Sequence, residues 1–385
     1  MEELLDEYVQ KCKEANIEPR KEFLNEIEKC ITRGRSTLDV VIDGGIMYDK
    51  LTDNDFMIIL DTLKKVCVNI IRVPRNNLTD AILPGVSQLL LQSDSIKQID
   101  FSANLITSNG IKSLQDALVQ SRSLIQISFA QNDIGDEGCM DIISSLRVNR
   151  NITYLDLSDT GISQNSLTYL GALIGEIHRL KCIHVDNPHN RIDGDSAAKR
   201  LFLSLCTNDS LTELSIARAK LSDDSALLIS NFLQVNSILT NLRLRGNRIS
   251  SVGAEQLANS LKFNNSLEVL DISNNKIGDK GAKAFAEMLK TNKTLRKIDV
   301  SSNGINGVGI IEFANNLPSN SSVTDLCLWG NKFVDQIVMK KWDELLKSPR
   351  GGTLCVDFEI HYTDDVAYVA KTPNDVSPKV WHSVF

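Results

Sequence analysis

The sequence predicts an α/β solenoid, a horseshoe of about 10 to 11 strand–helix units with parallel strands on its concave face and helices on its convex face. Three observations predict it. One apolar position recurs at Val68, Ile96, Leu124, Ile152, Leu180, Leu211, Leu239, Leu267, Leu295 and Val323; eight of the nine spacings are 28, and the ninth, Leu180 to Leu211, is 31. Each unit opens on an L-x-L alternation and closes on apolar residues at helical spacing. An Asn follows most of the alternating stretches, at Asn76, Asn104, Asn132, Asn247, Asn275, Asn303 and Asn331.

Each element has its own physical reason. Period-2 alternation is a short strand with one face buried. The Asn amide can bond the bent backbone that follows the strand, and stacked amides would form a ladder for otherwise orphaned carbonyls. In Gly281-Ala282-Lys283-Ala284-Phe285-Ala286-Glu287-Met288-Leu289, apolar residues at i, i+3, i+4 and i+7 make a helix with one buried stripe. One such unit cannot bury its apolar face alone, but a stack can. A weaker turn of the pattern at Leu38 to Ile42 makes the first rung.

The ends of a stack need caps. Residues 1–36 read as a helical hairpin, with stripes at Leu4, Leu5, Tyr8, Val9, Cys12 and at Phe23, Leu24, Ile27, Ile31 on either side of Ile17-Glu18-Pro19. Repeats are expected over 37–352. From 353 to 385, LCVDFEIHYTDDVAYVAK reads as a closing β-hairpin around Thr363-Asp364-Asp365, and a tail carrying Trp381 and Phe385 follows, to fold back on the cap or to anchor to a partner.

Composition bounds the function. The chain has 385 residues, 42% hydrophobic and only 5% aromatic, so a large core must be built from Leu, Ile, Val and Ala. A formal charge of -7 with no basic block argues against nucleic acid. The acidic start lacks an apolar signal region, and no apolar run approaches membrane-spanning length, so a cytoplasmic protein without membrane attachment is expected. Eight scattered cysteines with no C-x-x-C pair then read as reduced thiols. Sequons at Asn77, Asn151, Asn208, Asn264, Asn292 and Asn320 read as Asn-rich turns.

The unit LEVLDISNNKIGDKGAKAFAEML resembles the ribonuclease-inhibitor-type leucine-rich-repeat family, and the resemblance runs from Leu38 to Pro349. It implies a leucine-rich-repeat solenoid whose usual task is protein interaction. The Tyr8-to-Pro19 hairpin and DFEIHYTDDVAYVA (Asp357 to Ala370) are similar to the flanks of the leucine-rich-repeat-containing protein 34 group and of axonemal relatives, including the leucine-rich subunit of the nexin–dynein regulatory complex. That resemblance implies a scaffold or adaptor in a ciliary or flagellar axoneme. A Ran GTPase activator of the same superfamily is the alternative. Such activators carry an arginine in an early loop, here Arg72 or Arg75, and an acidic tail; residues 353–385 hold five acids against two bases, which is no acidic run.

Candidate contacts lie on the exposed side of the strands. Between the buried positions stand Arg72, Asp100, Ser128, Asp156, His184, Ser215, Arg243, Asp271, Asp299 and Cys327, and two residues on stand Pro74, Ser102, Ala130, Ser158, Asp186, Ala217, Arg245, Ser273, Ser301 and Trp329. Tyr154, Asp156, His184, Arg243, Arg245, Asp271, Asp299 and Trp329 are the expected protein-binding residues, since Trp, Tyr and Arg dominate interface energetics. The break in the period suggests an insertion loop at Asp186-Asn187-Pro188-His189-Asn190-Arg191, two residues too long, with about one more residue in the helix region that follows. Asp156, His184 and Ser215 on consecutive strands imitate a catalytic triad but lack a nucleophile elbow or oxyanion hole. Cys182, His184 and His189 lack the spacing and fourth ligand of a zinc site. Gly278-Asp279-Lys280-Gly281 is not a phosphate loop. No catalytic residue, metal or cofactor is expected; partners are proteins, met through the concave face and caps within a larger complex.

Overall fold

A computed structural model describes residues 1–46, 49–189, 194–333, 335–364 and 366–372. Two units divide it, Met1–His189 and Asn190–Phe385. The first holds strands β1 (Thr37–Val41), β2 (Cys67–Arg72), β3 (Gln98–Asp100), β4 (Gln126–Ser128), β5 (Tyr154–Asp156) and β6 (Cys182–His184), each hydrogen-bonded in parallel to the next. Its helices are α1 (Glu2–Glu14), α2 (Lys21–Thr32), α3 (Asp53–Leu63), α4 (Leu83–Gln92), α5 (Ser108–Gln120), α6 (Gly135–Val148) and α7 (Gln164–Glu176).

In the second unit the parallel strands are β7 (Glu213–Ser215), β8 (Asn241–Arg243), β9 (Val269–Asp271), β10 (Lys297–Asp299), β11 (Asp325–Cys327) and β12 (Cys355–Val356). They alternate with α8 (Gly194–Leu205), α9 (Asp223–Val235), α10 (Ser251–Leu261), α11 (Gly278–Met288), α12 (Gly307–Asn316) and α13 (Gln336–Leu346). An antiparallel hairpin of β13 (Phe358–Thr363) and β14 (Val366–Lys371) follows. The strand register is the repeat itself: Leu242, Leu270, Ile298 and Leu326 pair in sequence, and all are buried. The closing hairpin is therefore shorter than the sequence suggests, because Cys355 and Val356 pair with β11 as one more parallel rung.

Three side-chain ladders hold the turns. After each strand from β2 to β11 a residue takes positive φ, from Arg75 and Ala103 through Asn187 and Arg218 to Gly330. Most are not glycine, and the strain of about 1 kcal/mol each is offset in seven of these ten turns by the Asn that follows, with Thr160, Pro188 and Ala219 in its place in the other three. Asn275 shows how: buried, it donates from Nδ2 to the carbonyls of Leu244 (3.0 Å), Ile272 (3.0 Å) and Ser273 (3.1 Å), and its Oδ1 accepts from the Ile249 N–H (3.1 Å) of the rung before.

A second Asn ladder sits behind the helices. Asn292 donates to Leu261 O (2.7 Å) and Asn264 O (3.2 Å) and accepts from the N–H groups of Thr294 and Leu295; Asn149, Asn236, Asn264 and Asn320 do the same. Four of the six sequons (Asn208, Asn264, Asn292, Asn320) are such buried amides, so a glycan there would displace the turn they hold. The third ladder joins helix starts: an Asp in the first turn accepts from the hydroxyl and N–H of the next rung's N-cap, as Asp223 does from Ser250 Oγ (2.5 Å) and N (2.8 Å). Asp53, Asp80, Asp136 and Asp195 repeat it.

The N-terminal hairpin buries Leu4, Tyr8, Cys12, Phe23, Ile27 and Cys30, while Val9 of the expected stripe is exposed. Tyr8 and Phe23 meet edge to face at 4.7 Å, and the Tyr8 hydroxyl accepts the Arg20 N–H. Arg20 ties this hairpin to the first rungs: Nε and Nη2 grip both oxygens of buried Asp55 at 3.1 and 2.7 Å. Asp55 is in turn the N3 partner of Thr52 in the capping box of α3. At the other end Trp342 of α13 packs edge to face on Phe358 at 5.3 Å.

Candidate protein-binding face

In the first unit the strand side gathers Tyr154, Asp156 and His184. The Tyr154 and His184 rings meet edge to face at 5.4 Å, with Tyr154 Oη 3.3 Å from Nδ1. Asp156 Oδ2 lies 3.7 Å from the same nitrogen, and Cys182 Sγ lies 3.3 Å from Nε2. Burial alone would raise the Asp156 carboxyl, but the hydrogen bond and charge of His184, with the Ser158 N–H, hold it below its ordinary value. Both ring nitrogens of His184 are thus engaged and the residue is buried. Tyr154 is half-buried.

In the second unit Arg243 is mostly covered, its Nη2 on Glu213 Oε1 at 2.8 Å. Asp271 and Asp299 are 6% and 5% exposed, because each turns back over its own bend: Oδ1 accepts the N–H two residues on, from Ser273 and Ser301, at 2.9 Å. Asp100 and Asp156 do the same with Ser102 and Ser158. The sequence signal is D-x-S at the strand end, which reads as a local capping pattern rather than an interaction surface. As strand neighbours, Asp271 and Asp299 also crowd each other. Burial and the Asp271 charge push Asp299 up to about 7, against the opposing Ser301 hydrogen bonds. Burial raises Asp271 as well, despite its Ser273 bonds and the charges of Arg245 and Arg243.

The surface this leaves open is narrower than the sequence suggests. Arg245 is exposed and Trp329 half-buried, at matching positions three rungs apart with Ser273 and Ser301 between them. Asp357, a residue the sequence reading passed over, closes this end of the sheet. Its carboxylate accepts the N–H groups of Leu328 (2.8 Å) and Trp329 (3.0 Å); in the two rungs before, the first of these positions bonds the next strand's carbonyl and the second the Asp of its own rung. Trp329 is thereby held by its backbone at the last full turn. Burial raises Asp357 in spite of these bonds.

The first four residues of the expected insertion loop keep the repeat. Asp186 O accepts the Asp159 N–H, Asn187 holds the positive-φ position, and the His189 N–H bonds Ile162 O, as Leu105 N–H bonds Leu78 O three rungs earlier. Asp186, Asn187, Pro188 and His189 are therefore regular turn residues. On the far side Asp195 and Asp223 bond Ser222 and Ser250 alike, 28 apart, whereas the positive-φ residues Asn187 and Arg218 are 31 apart. The three extra residues of the sequence therefore stand between His189 and Asp195. Asn190 and Arg191 lie outside the described residues, as do Trp381 and Phe385.

Five segments match the family model described as "Leucine Rich repeat": 120–142, 148–171, 235–258, 263–286 and 291–314. The fold is a leucine-rich-repeat solenoid. Its segments in the two units share the strand, turn and ladder positions above. Among solved structures, the solenoid is similar to an internalin (InlF) from Listeria monocytogenes at 14% identity and a TM-score of 0.47, covering 92% of this chain and 93% of that one. It is also similar to the leiomodin-1 actin-binding site 2 at 21% identity and a TM-score of 0.34 (38% and 84% covered), and to the tropomodulin C-terminal domain of Caenorhabditis elegans at 15% and 0.34 (40% and 92% covered). No curated protein matches the chain. Among the described residues no helix is long and apolar enough to cross a membrane.

Proposed function

We propose that this chain is a non-catalytic scaffold that holds a partner protein against the strand side of its repeats. Leucine-rich-repeat solenoids generally serve as interaction surfaces. The observation that carries the reading here is the pair Arg245 and Trp329. They lie about 14 Å apart by strand spacing, with only two serines between, and Arg and Trp are the side chains that dominate protein interfaces. Proximity labelling in cells with the wild type and with an Arg245→Ala/Trp329→Ala variant is the test. Proteins labelled by the wild type are expected to be lost from the variant, and an unchanged set overturns the assignment of this face.

The finer reading is a cytoplasmic place in a ciliary or flagellar axoneme, supported by the resemblance of the two caps to axonemal relatives. A tagged chain in ciliated cells is expected along the axoneme; a signal confined to cytosol or nucleus contradicts it. The alternative, a Ran GTPase activator, requires an early-rung arginine to reach the nucleotide. Arg75 is ion-paired with Asp43, and Arg72 lies 3.9 Å from Asp100, which supports the scaffold. No acceleration of GTP hydrolysis by Ran is expected, and a large one would overturn the scaffold reading.

A further inference from the structure

The terminal hairpin is engaged by a helix side chain at one edge and open at the other. Thr363 and Val366 flank the bend, and pairs run back through Tyr362 with Ala367, His361 with Tyr368, Ile360 with Val369 and Glu359 with Ala370. Ala367 sends both of its main-chain groups away from β13: its N–H goes to Gln336 Oε1 (2.8 Å), and its C=O accepts Gln336 Nε2 (2.9 Å). The Tyr362–Ala367 pair is therefore a non-hydrogen-bonded pair. By the alternation of antiparallel ladders, so are Ile360–Val369 and Phe358–Lys371. It follows that Phe358, Ile360 and Tyr362 direct their N–H and C=O groups outward from β13. The Gln336 amide engages the β14 edge at Ala367; among the described residues no such partner meets Ile360 or Tyr362 on β13.

An open edge is a template for another strand. The side chains on β13 say which one. Glu359 and His361 project from the same face, half exposed, 3.5 Å apart. When two β13 strands run antiparallel with Ile360 facing Ile360, the outward groups of Phe358, Ile360 and Tyr362 fall into hydrogen-bonding register. The same register sets each Glu359 opposite the partner's His361. Slipping it by two residues sets Glu359 against Glu359 or His361 against His361.

We propose that the outer edge of β13 pairs with the same edge of a second copy of this chain, about a two-fold axis at Ile360. The joined hairpins make a four-stranded sheet in which the Glu359–His361 pairing is satisfied across the axis. An edge of five residues buries less than the roughly 1,200 Å² of a standard interface, so the dimer is weak and forms with concentration.

Sedimentation equilibrium of the full chain over a concentration series up to about 1 mM is the test. It is combined with hydrogen exchange at the Ile360 and Tyr362 amides. The mass should rise from 42.7 kDa toward twice that, with protection of those two amides rising in step. Ile360→Pro removes an outward N–H without touching a β13–β14 bond, and about a tenfold or larger loss of association is expected. Glu359→Lys should weaken the dimer, and the exchanged pair Glu359→His/His361→Glu should restore it. A chain that stays monomeric overturns the proposal, as does a dimer indifferent to Ile360→Pro while exchange shows the hairpin intact. Protection of the two amides that does not change with concentration also overturns it, since the edge is then covered by the chain itself.

Discussion

Asp299→Asn should make this protein more stable at neutral pH, and the gain should vanish in mild acid. Burial and the neighbouring Asp271 raise the Asp299 carboxyl from its ordinary 3.8 to about 7. A carboxyl whose pKa is raised on folding binds its proton more tightly in the folded chain. Stability from this site is therefore full below about pH 4 and is lost as pH climbs through about 7. Each pH unit in that window is worth about 1.4 kcal/mol, so the whole loss is about 4 kcal/mol. Asn keeps the acceptor for the Ser301 N–H and carries no charge. Urea unfolding of both chains should show the variant's advantage growing by about 3 kcal/mol between pH 5 and pH 8. A difference that does not change with pH, or that shrinks as pH rises, would refute the crowding of Asp271 and Asp299.

Arg20→Ala should destabilise the chain by about 3–5 kcal/mol, because it strands the buried Asp55 carboxylate without its bidentate partner. Loss of protection in α1 and α2 by hydrogen exchange should come first. Burial opposes it, but the hydrogen bonds from Arg20 and Thr52 hold Asp55 below its ordinary value. Its contribution is therefore present at neutral pH and lost as pH falls below the usual carboxylate range, opposite in sign to Asp299. Asn275→Ala removes one acceptor and a donor shared by three carbonyls, and a loss of about 1–3 kcal/mol is expected in chemical unfolding.

The repeat was legible because a 28-residue period states the strand, the turn and the helix in one pattern, and chance does not sustain it. The first Asn ladder was legible for the same reason. The second was hidden in plain sight: Asn264, Asn292 and Asn320 carry the form of a glycosylation site only because their Oδ1 atoms cap a Ser or Thr N–H two residues on. The candidate face was less legible. An alternation shows that Asp271 and Asp299 lie on the strand side, but not that each folds back on the N–H of a nearby serine and leaves the surface. Asp186 to His189 look irregular in composition while their backbone bonds keep the repeat. Asp357 gave no periodic signal at all, since it acts once, where the repeat stops.

The central claim is that the strand side around Arg245 and Trp329 holds a partner protein. The most direct measurement is photo-crosslinking in cells from a reactive group placed at residue 245, compared with one at residue 283 on the helix side of the same unit. One discrete crosslinked protein is expected from position 245, abolished by Trp329→Ala and absent from position 283. Crosslinks from position 283 alone, or crosslinks from position 245 indifferent to Trp329→Ala, would contradict it.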